Sequence, residues 1–133
     1  MENSNERLVA LDAICWVVLE KKSLSAFVYP DQNSSLTKSL VFGTIRFYHQ
    51  LNDIVTDLLK HSLKKEDLDI HCLILLGAYQ ILHSNIAAHA SIFETVDVNN
   101  TIDKPWAKGL VNAILRQIDR DKAKLLSEKH ASH

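Results

Sequence analysis

Residues 67–84 read DLDIHCLILLGAYQILHS. At the helical step of 100° per residue, Leu68, Ile70, Leu73, Ile74, Leu76, Tyr79 and Ile81 spread around the whole cylinder and leave no continuous polar face. A helix that is apolar all round must be covered all round, so this segment is expected to be the central, buried helix of the fold. No apolar run in the chain approaches the roughly 18 residues that a membrane-spanning helix needs, and no membrane contact is expected.

Outward from that helix, the 3 glycines and 2 prolines are far apart and the stretches between them repeat apolar residues at helical rather than alternating spacing. A first helix is predicted over Glu6–Lys22, with a stripe of Leu8, Leu11, Cys15, Val18 and Leu19 that Val9, Ala13 and Trp16 widen. A helical turn at Ser23–Val28 leads into Tyr29-Pro30-Asp31-Gln32-Asn33, where the proline and polar residues predict a loop. One long helix is predicted over Ser35–His61, with Leu36, Leu40, Ile45, Tyr48, Leu51, Val55 and Leu58 on one half of its circumference.

Beyond the central helix, a segment from Ala88 to Asn100 places Ile92, Phe93 and Val96 inward and Glu94, Asp97 and Asn99 outward. Asp103 is read as an N-cap, Lys104 as a spacer and Pro105 as a first-turn residue of a last helix reaching roughly to Leu126. On that helix Trp106, Leu110, Ala113, Ile114 and Ile118 mark the core side, and Gly109, Asn112, Arg116 and Arg120 the opposite arc. The predicted fold class is all-α, five or more helices without strands. Residues 1–126 form one domain and 127–133, SEKHASH, a tail or the start of a linker.

The chain of 133 residues has 15 basic and 16 acidic side chains and a formal net charge of -1, which supplies no general field toward a nucleic-acid backbone. Any RNA contact must therefore come from a local patch. Cys15 and Cys72 sit in apolar runs without C-x-x-C spacing or a secretory signal, and read as reduced core thiols of a cytoplasmic protein. The seven histidines include no pair at metal-binding spacing on one helical face, so no metal is expected. Lys60, Lys64 and Lys65 form a small basic cluster that reads as a solvated loop, with RNA contact as the other option.

Four segments carry more than helix statistics. They are Leu40-Val41-Phe42-Gly43-Thr44-Ile45-Arg46, Leu75-Leu76-Gly77-Ala78-Tyr79-Gln80-Ile81-Leu82, Ile86-Ala87-Ala88-His89-Ala90 with Glu94-Thr95-Val96, and Lys108-Gly109-Leu110-Val111-Asn112-Ala113-Ile114-Leu115-Arg116. In this order and spacing the chain resembles the NusB family from about Arg7 to Leu126. Ala87 departs from the family pattern, which usually has proline there. The resemblance implies about six or seven helices in two packed groups.

Two branches of the family are relevant. One is the free-standing transcription antitermination factor, which binds RNA together with a ribosomal protein. The other is the N-terminal domain of the 16S rRNA cytosine-C5 methyltransferases, to which the Phe42-Gly43 to Arg46 and Lys108 to Gln117 segments look closer. The slightly acidic Met1–Arg7, where the antitermination branch has an arginine-rich arm, also favours the methyltransferase branch. The parent enzyme would use S-adenosylmethionine and a cysteine nucleophile on small-subunit rRNA. This chain has neither the strands nor the glycine-rich turn of a cofactor site, and Cys15 and Cys72 sit where a thiol pKa rises. It is therefore expected to be a non-catalytic domain whose partners are rRNA and its own methyltransferase domain, and in the other branch a ribosomal protein.

A glycine inside a helix costs roughly 1 kcal/mol against alanine, so Gly43, Gly77 and Gly109 need a reason. Gly77, on the central helix, is assigned to close packing, whereas Gly109 lies on the outer arc and invites a partner. Lys108, Asn112, Arg116 and Arg120 are accordingly candidate RNA- or partner-binding residues, with Arg46 on the outer arc of the long helix beside Phe42, His49 and Gln50. Two uses remain open for Arg46 and Arg116: contact with RNA or another domain, or ion pairs with acids such as Asp53 and Asp119. His89 is read as structural, bonding to backbone at a helix start. A purely structural face packed on a catalytic domain is the remaining option.

Overall fold

The computed structural model describes residues 2–30 and 34–128, and every regular element among them is helical. The α-helices are α1 (Glu2–Val18), α2 (Ser35–Arg46), α3 (Tyr48–Leu58), α4 (Leu68–His83), α5 (Ala88–Thr101), α6 (Lys108–Arg120) and α7 (Lys122–Ser127). Short 3-10 turns occur at Leu24–Ala26, Lys65–Asp67 and Pro105–Ala107. Part of the expected loop, residues 31–33, and the expected tail from residue 129 lie outside the described residues.

Helix α4 packs against α1, α2, α3, α5, α6 and α7. Its eleven buried residues include Ile70, Leu73, Ile74, Leu75, Leu76 and Ile81 on several sides of the cylinder. Full burial of one such aliphatic side chain contributes about 1.5–3 kcal/mol, so this helix dominates the apolar core. Gly77 has the packing role expected of it: a Cβ there would approach the Leu115 methyls on α6 at 2.6 and 2.7 Å. Gly43 also faces inward, and a Cβ on it would overlap the Tyr79 ring.

Helix α1 ends at Val18, four residues before the predicted Lys22. The Lys22 amide donates to Trp16 O at 3.1 Å, closing the loop of residues 16–22, and Lys21 takes φ 59. That is a left-handed helix terminus with lysine where glycine is usual, which is why composition did not reveal it. Trp16 fixes the exit: its Nε1 donates to Ser23 O at 2.8 Å and Lys22 Nζ lies 4.3 Å from its ring centroid.

The single helix predicted over Ser35–His61 is two helices, broken at Phe47 (φ -99, ψ 17). A straight helix of that span would be about 40 Å long, more than a domain of this size can cover. The break lets both halves pack on α4, burying Thr37, Leu40, Val41 and Thr44 from α2 and Leu51, Ile54 and Val55 from α3. Phe47 stacks face to face on His83 of α4, ring centroids 3.8 Å apart, so a tertiary contact and not a proline or glycine holds the bend.

Helix α5 buries Ile92 and packs Val96 against the core as expected, but departs from the expected orientation at two positions. Phe93 is 69% exposed, whereas Asn99 is fully buried along with Ser91, Thr95 and Val98. The cause is a buried polar chain: Arg7 Nε donates to Gln80 Oε1 at 3.0 Å, and Gln80 Nε2 donates to Thr95 Oγ1 at 2.9 Å and Leu76 O at 3.1 Å. At the end of α5, Asp103 takes φ 60 and does not serve as an N-cap; Lys104 precedes the turn that opens with Pro105. Lys104 Nζ clasps Asp67 at 3.1 Å and Asp69 at 2.8 Å, tying this corner to the start of α4. The last predicted helix is also broken, at Asp121, between α6 and α7.

Candidate nucleic-acid interface

Helix α6 buries Val111, Ile114, Leu115 and Ile118. The expected core side is thus correct at Ile114 and Ile118, while Ala113 is exposed and Trp106, at 58%, stands in solvent beside Leu63, Lys64 and Asp67. The outer arc is as expected at Gly109, where a Cβ would meet nothing within 4 Å.

Helices α5 and α6 lie side by side and leave a groove of about 490 Å³ between their outer faces. From α5 it takes His89, Ile92, Phe93, Val96 and Asp97; from α6 it takes Lys108, Asn112, Arg116 and Asp119. Three of the five candidate residues, Lys108, Asn112 and Arg116, are therefore brought together. Arg120 is exposed on the last turn of α6 and does not line the groove, and Arg46 stands apart at the α2–α3 bend.

Asn112 Oδ1 accepts from Arg116 Nε at 3.3 Å, which orients the guanidinium along the helix. Arg46 is exposed beside Phe42, itself 56% exposed, with its guanidinium carbon 5.4 Å from the Phe47 ring centroid. Among the described residues no ion pair joins Arg46 to Asp53 or Arg116 to Asp119. His89 is exposed on the groove wall and makes no hydrogen bond to backbone among the described residues, contrary to the structural role expected of it.

The groove residues from α5 were not foreseen. Reading apolar as inward assigned Phe93 to the core, and only the buried partner of Thr95 on another helix reveals the true rotation. Arg7 was likewise unanticipated as a buried group, 2% exposed at the joint of α1, α4 and α5. Burial pulls its guanidinium below the usual arginine range, an effect that Glu94 and Glu6 oppose.

Cys15 on α1 and Cys72 on α4 are both free thiols, the first half-buried and the second buried. The neighbouring Cys72 and then burial push the Cys15 thiol well above the ordinary range. Two histidines are engaged in packing: His71 Nε2 lies 2.7 Å from Asn52 Oδ1 and His83 Nε2 lies 2.5 Å from Gln50 Oε1. No cluster of three potential metal ligands occurs among the described residues, and no described helix is long and apolar enough to cross a membrane.

Comparison with known proteins agrees with this architecture. The chain is 41% identical over 131 residues to the ribosomal RNA small subunit methyltransferase B of Pseudomonas syringae pv. tomato, covering 93% of this chain and 29% of that protein. It is 38% identical to the ribosomal RNA small subunit methyltransferase B of Pseudomonas putida, covering 92% of this chain and 30% of that protein. A probable ribosomal RNA small subunit methyltransferase B of Coxiella burnetii is 40% identical, with 92% of this chain and 29% of that protein covered. The chain thus spans less than a third of the length of these curated relatives. The profile of the NusB family matches residues 4–120, nearly all of the helical array around α4, and the chain belongs to the NusB family.

Proposed function

We propose that this chain is the RNA-engaging, non-catalytic part of a 16S rRNA cytosine-C5 methyltransferase, and that Arg46, Lys108, Asn112, Arg116 and Arg120 contact the RNA. The observation that carries the reading is the exposure of Arg46, Arg116 and Arg120 without acidic ion-pair partners among the described residues, on a chain whose relatives bear the methyltransferase name. With a net charge of -1 the molecule has no general attraction for RNA, so these positions supply the phosphate contacts.

Catalysis belongs to the part of the relatives with which this chain does not align. S-Adenosylmethionine, the methyl donor of that reaction, does not fit the residues present here. A backbone cradle for such a ligand needs glycines at an open turn. Gly43 and Gly77 face the Tyr79 and Leu115 side chains, and Gly109 sits on a convex helix surface. Cys15, with its thiol pKa raised, is not a nucleophile for the reaction.

The test is a salt titration of binding to single-stranded RNA, monitored by fluorescence anisotropy. The slope of log affinity against log salt is about -0.7 per neutralised phosphate, so changing Arg46 and Arg116 together to alanine is expected to flatten it by about 1.4. Both side chains are exposed, so the melting temperature stays within about 2 °C of the parent. An unchanged slope would refute the contact assignment and leave the arginine face for packing on the catalytic part of the enzyme.

A further inference from the structure

We infer that the α5–α6 groove holds one unstacked nucleobase of single-stranded RNA, with Phe93 as the stacking face, and that its carboxylates favour a base bearing an exocyclic amino group. The inference rests on the RNA reading above and deepens it. Its first support is the ring itself: Phe93 is 69% exposed on the wall of a concave site, in a helix that had other apolar residues to expose. Aromatic rings offered to solvent in a cavity are a common feature of ligand sites, and the groove, at about 490 Å³, lies within the roughly 300–1,000 Å³ of small-ligand pockets.

The second support is the arrangement of charge. Lys108 and Arg116 are balanced by Asp97 and Asp119, so the groove is no trap for a bare phosphate. The two cations stand two turns apart on α6, about 12 Å along its axis, with Asn112 midway between them. That spacing places positive charge at the ends for the flanking backbone and leaves neutral and acceptor groups in the middle for a base. Asn112 has its Oδ1 engaged by Arg116, so its amide protons are the group it can offer to a ring nitrogen or keto oxygen. Asp119 supplies an acceptor for an amino group, the pairing by which carboxylates read cytosine N4, and Asp97, whose Oδ1 already accepts from Asn100 Nδ2 at 3.2 Å, adds negative charge on the facing wall. Uracil would set a keto oxygen against those carboxylates. Gly109, on the same arc as Asn112 and Arg116 with open space around it, lets the strand pass close to the helix.

The experiment uses fluorescein-labelled heptacytidylate, heptauridylate and a 12-base-pair RNA duplex with this chain and its Phe93→Ala and Phe93→Trp variants. The parent is expected to bind heptacytidylate more tightly than heptauridylate. Phe93→Ala should weaken heptacytidylate about 5- to 150-fold, the usual loss for one stacked base, with an unchanged salt slope and unchanged duplex binding. Phe93→Trp should restore it. Because the ring is exposed, the fold of both variants is expected to survive, and their melting curves check this. If Phe93→Ala binds heptacytidylate as the parent does, the groove is not a base site, and arginine-dependent RNA binding would then stand without it. Equal affinity for the two homopolymers would overturn the amino-group preference. Absence of RNA binding by the parent would refute the proposed function and this inference together.

Discussion

Replacing Gly77 with alanine tests the tightest helix contact of the fold. A Cβ at this position would lie 2.6 and 2.7 Å from the Leu115 methyls and 3.2 Å from its Cγ. Leu115 is fully buried, so it has no open direction in which to swing. Alanine gains about 1 kcal/mol of helix propensity over glycine, while overpacking a close-packed interior costs about 1–3 kcal/mol. The net expectation is a loss of about 1 kcal/mol. Gly109→Ala is the internal control, since its Cβ meets nothing within 4 Å and the whole gain of about 1 kcal/mol survives. The two variants should therefore differ by about 1–3 kcal/mol, or roughly 4–12 °C in melting temperature for a domain of this size. Urea unfolding followed by circular dichroism measures both, with the denaturant slope as a check that only stability has changed. If Gly77→Ala is stabilised as much as Gly109→Ala, Leu115 does not bear on Gly77 and the packing argument fails.

Arg7→Ala should cost about 2–4 kcal/mol in the same assay, because it orphans the buried Gln80 Oε1 and removes a charge from beside Glu94. Thr95→Val should cost only about 1 kcal/mol, since Gln80 Nε2 keeps its bond to Leu76 O; equal losses for the two would refute the assigned polarity of the chain. Burial lowers the pKa of His71, and burial followed by Lys122 lowers that of His83, so the unfolded chain binds these protons first. Their contribution is full above about pH 6.5 and is lost as pH falls below it toward the folded-state values. Urea midpoints should drop between pH 7.5 and 5.5, and His71→Gln with His83→Gln should flatten that drop. Cys15 and Cys72 should react with an aromatic disulfide reagent at pH 8 far more slowly than in urea, and equal rates would contradict their packing.

The central helix was legible because its apolar residues cover every side, a pattern that needs no knowledge of neighbours. The outer arc of α6 was legible in part for a related reason: Ile114 and Ile118 against Asn112 and Arg116 is a strong amphipathic signal over a short helix. The ends of helices were less accessible. Lys21 and Asp103 terminate α1 and α5 in a left-handed conformation without glycine, and Phe47 bends the α2–α3 segment without proline. At Phe47 the contact that goes with the bend is tertiary, its stacking on His83, and beside Asp103 Lys104 reaches Asp67 and Asp69, whereas the α1 terminus is closed locally by Trp16 and Ser23.

Helix α5 makes the same point for the site. Its buried residues are Ser91, Ile92, Thr95, Val98 and Asn99, three of the five polar, so periodicity of apolar residues found Ile92 but not the rest of the stripe. Thr95 is held in the core by a partner, Gln80, which Arg7 in turn engages from α1, whereas Ser91 Oγ and Asn99 Oδ1 are buried beside it without one among the described residues. Once Thr95 is committed inward, Phe93, two residues earlier and therefore about 160° away around the helix, must face out. The exposed ring on the groove is thus a geometric consequence of a buried hydrogen bond. It follows that core and candidate site are coupled: a change that frees Thr95 from Gln80 loosens the rotation of α5, and with it the position of Phe93 relative to Asn112 and Arg116.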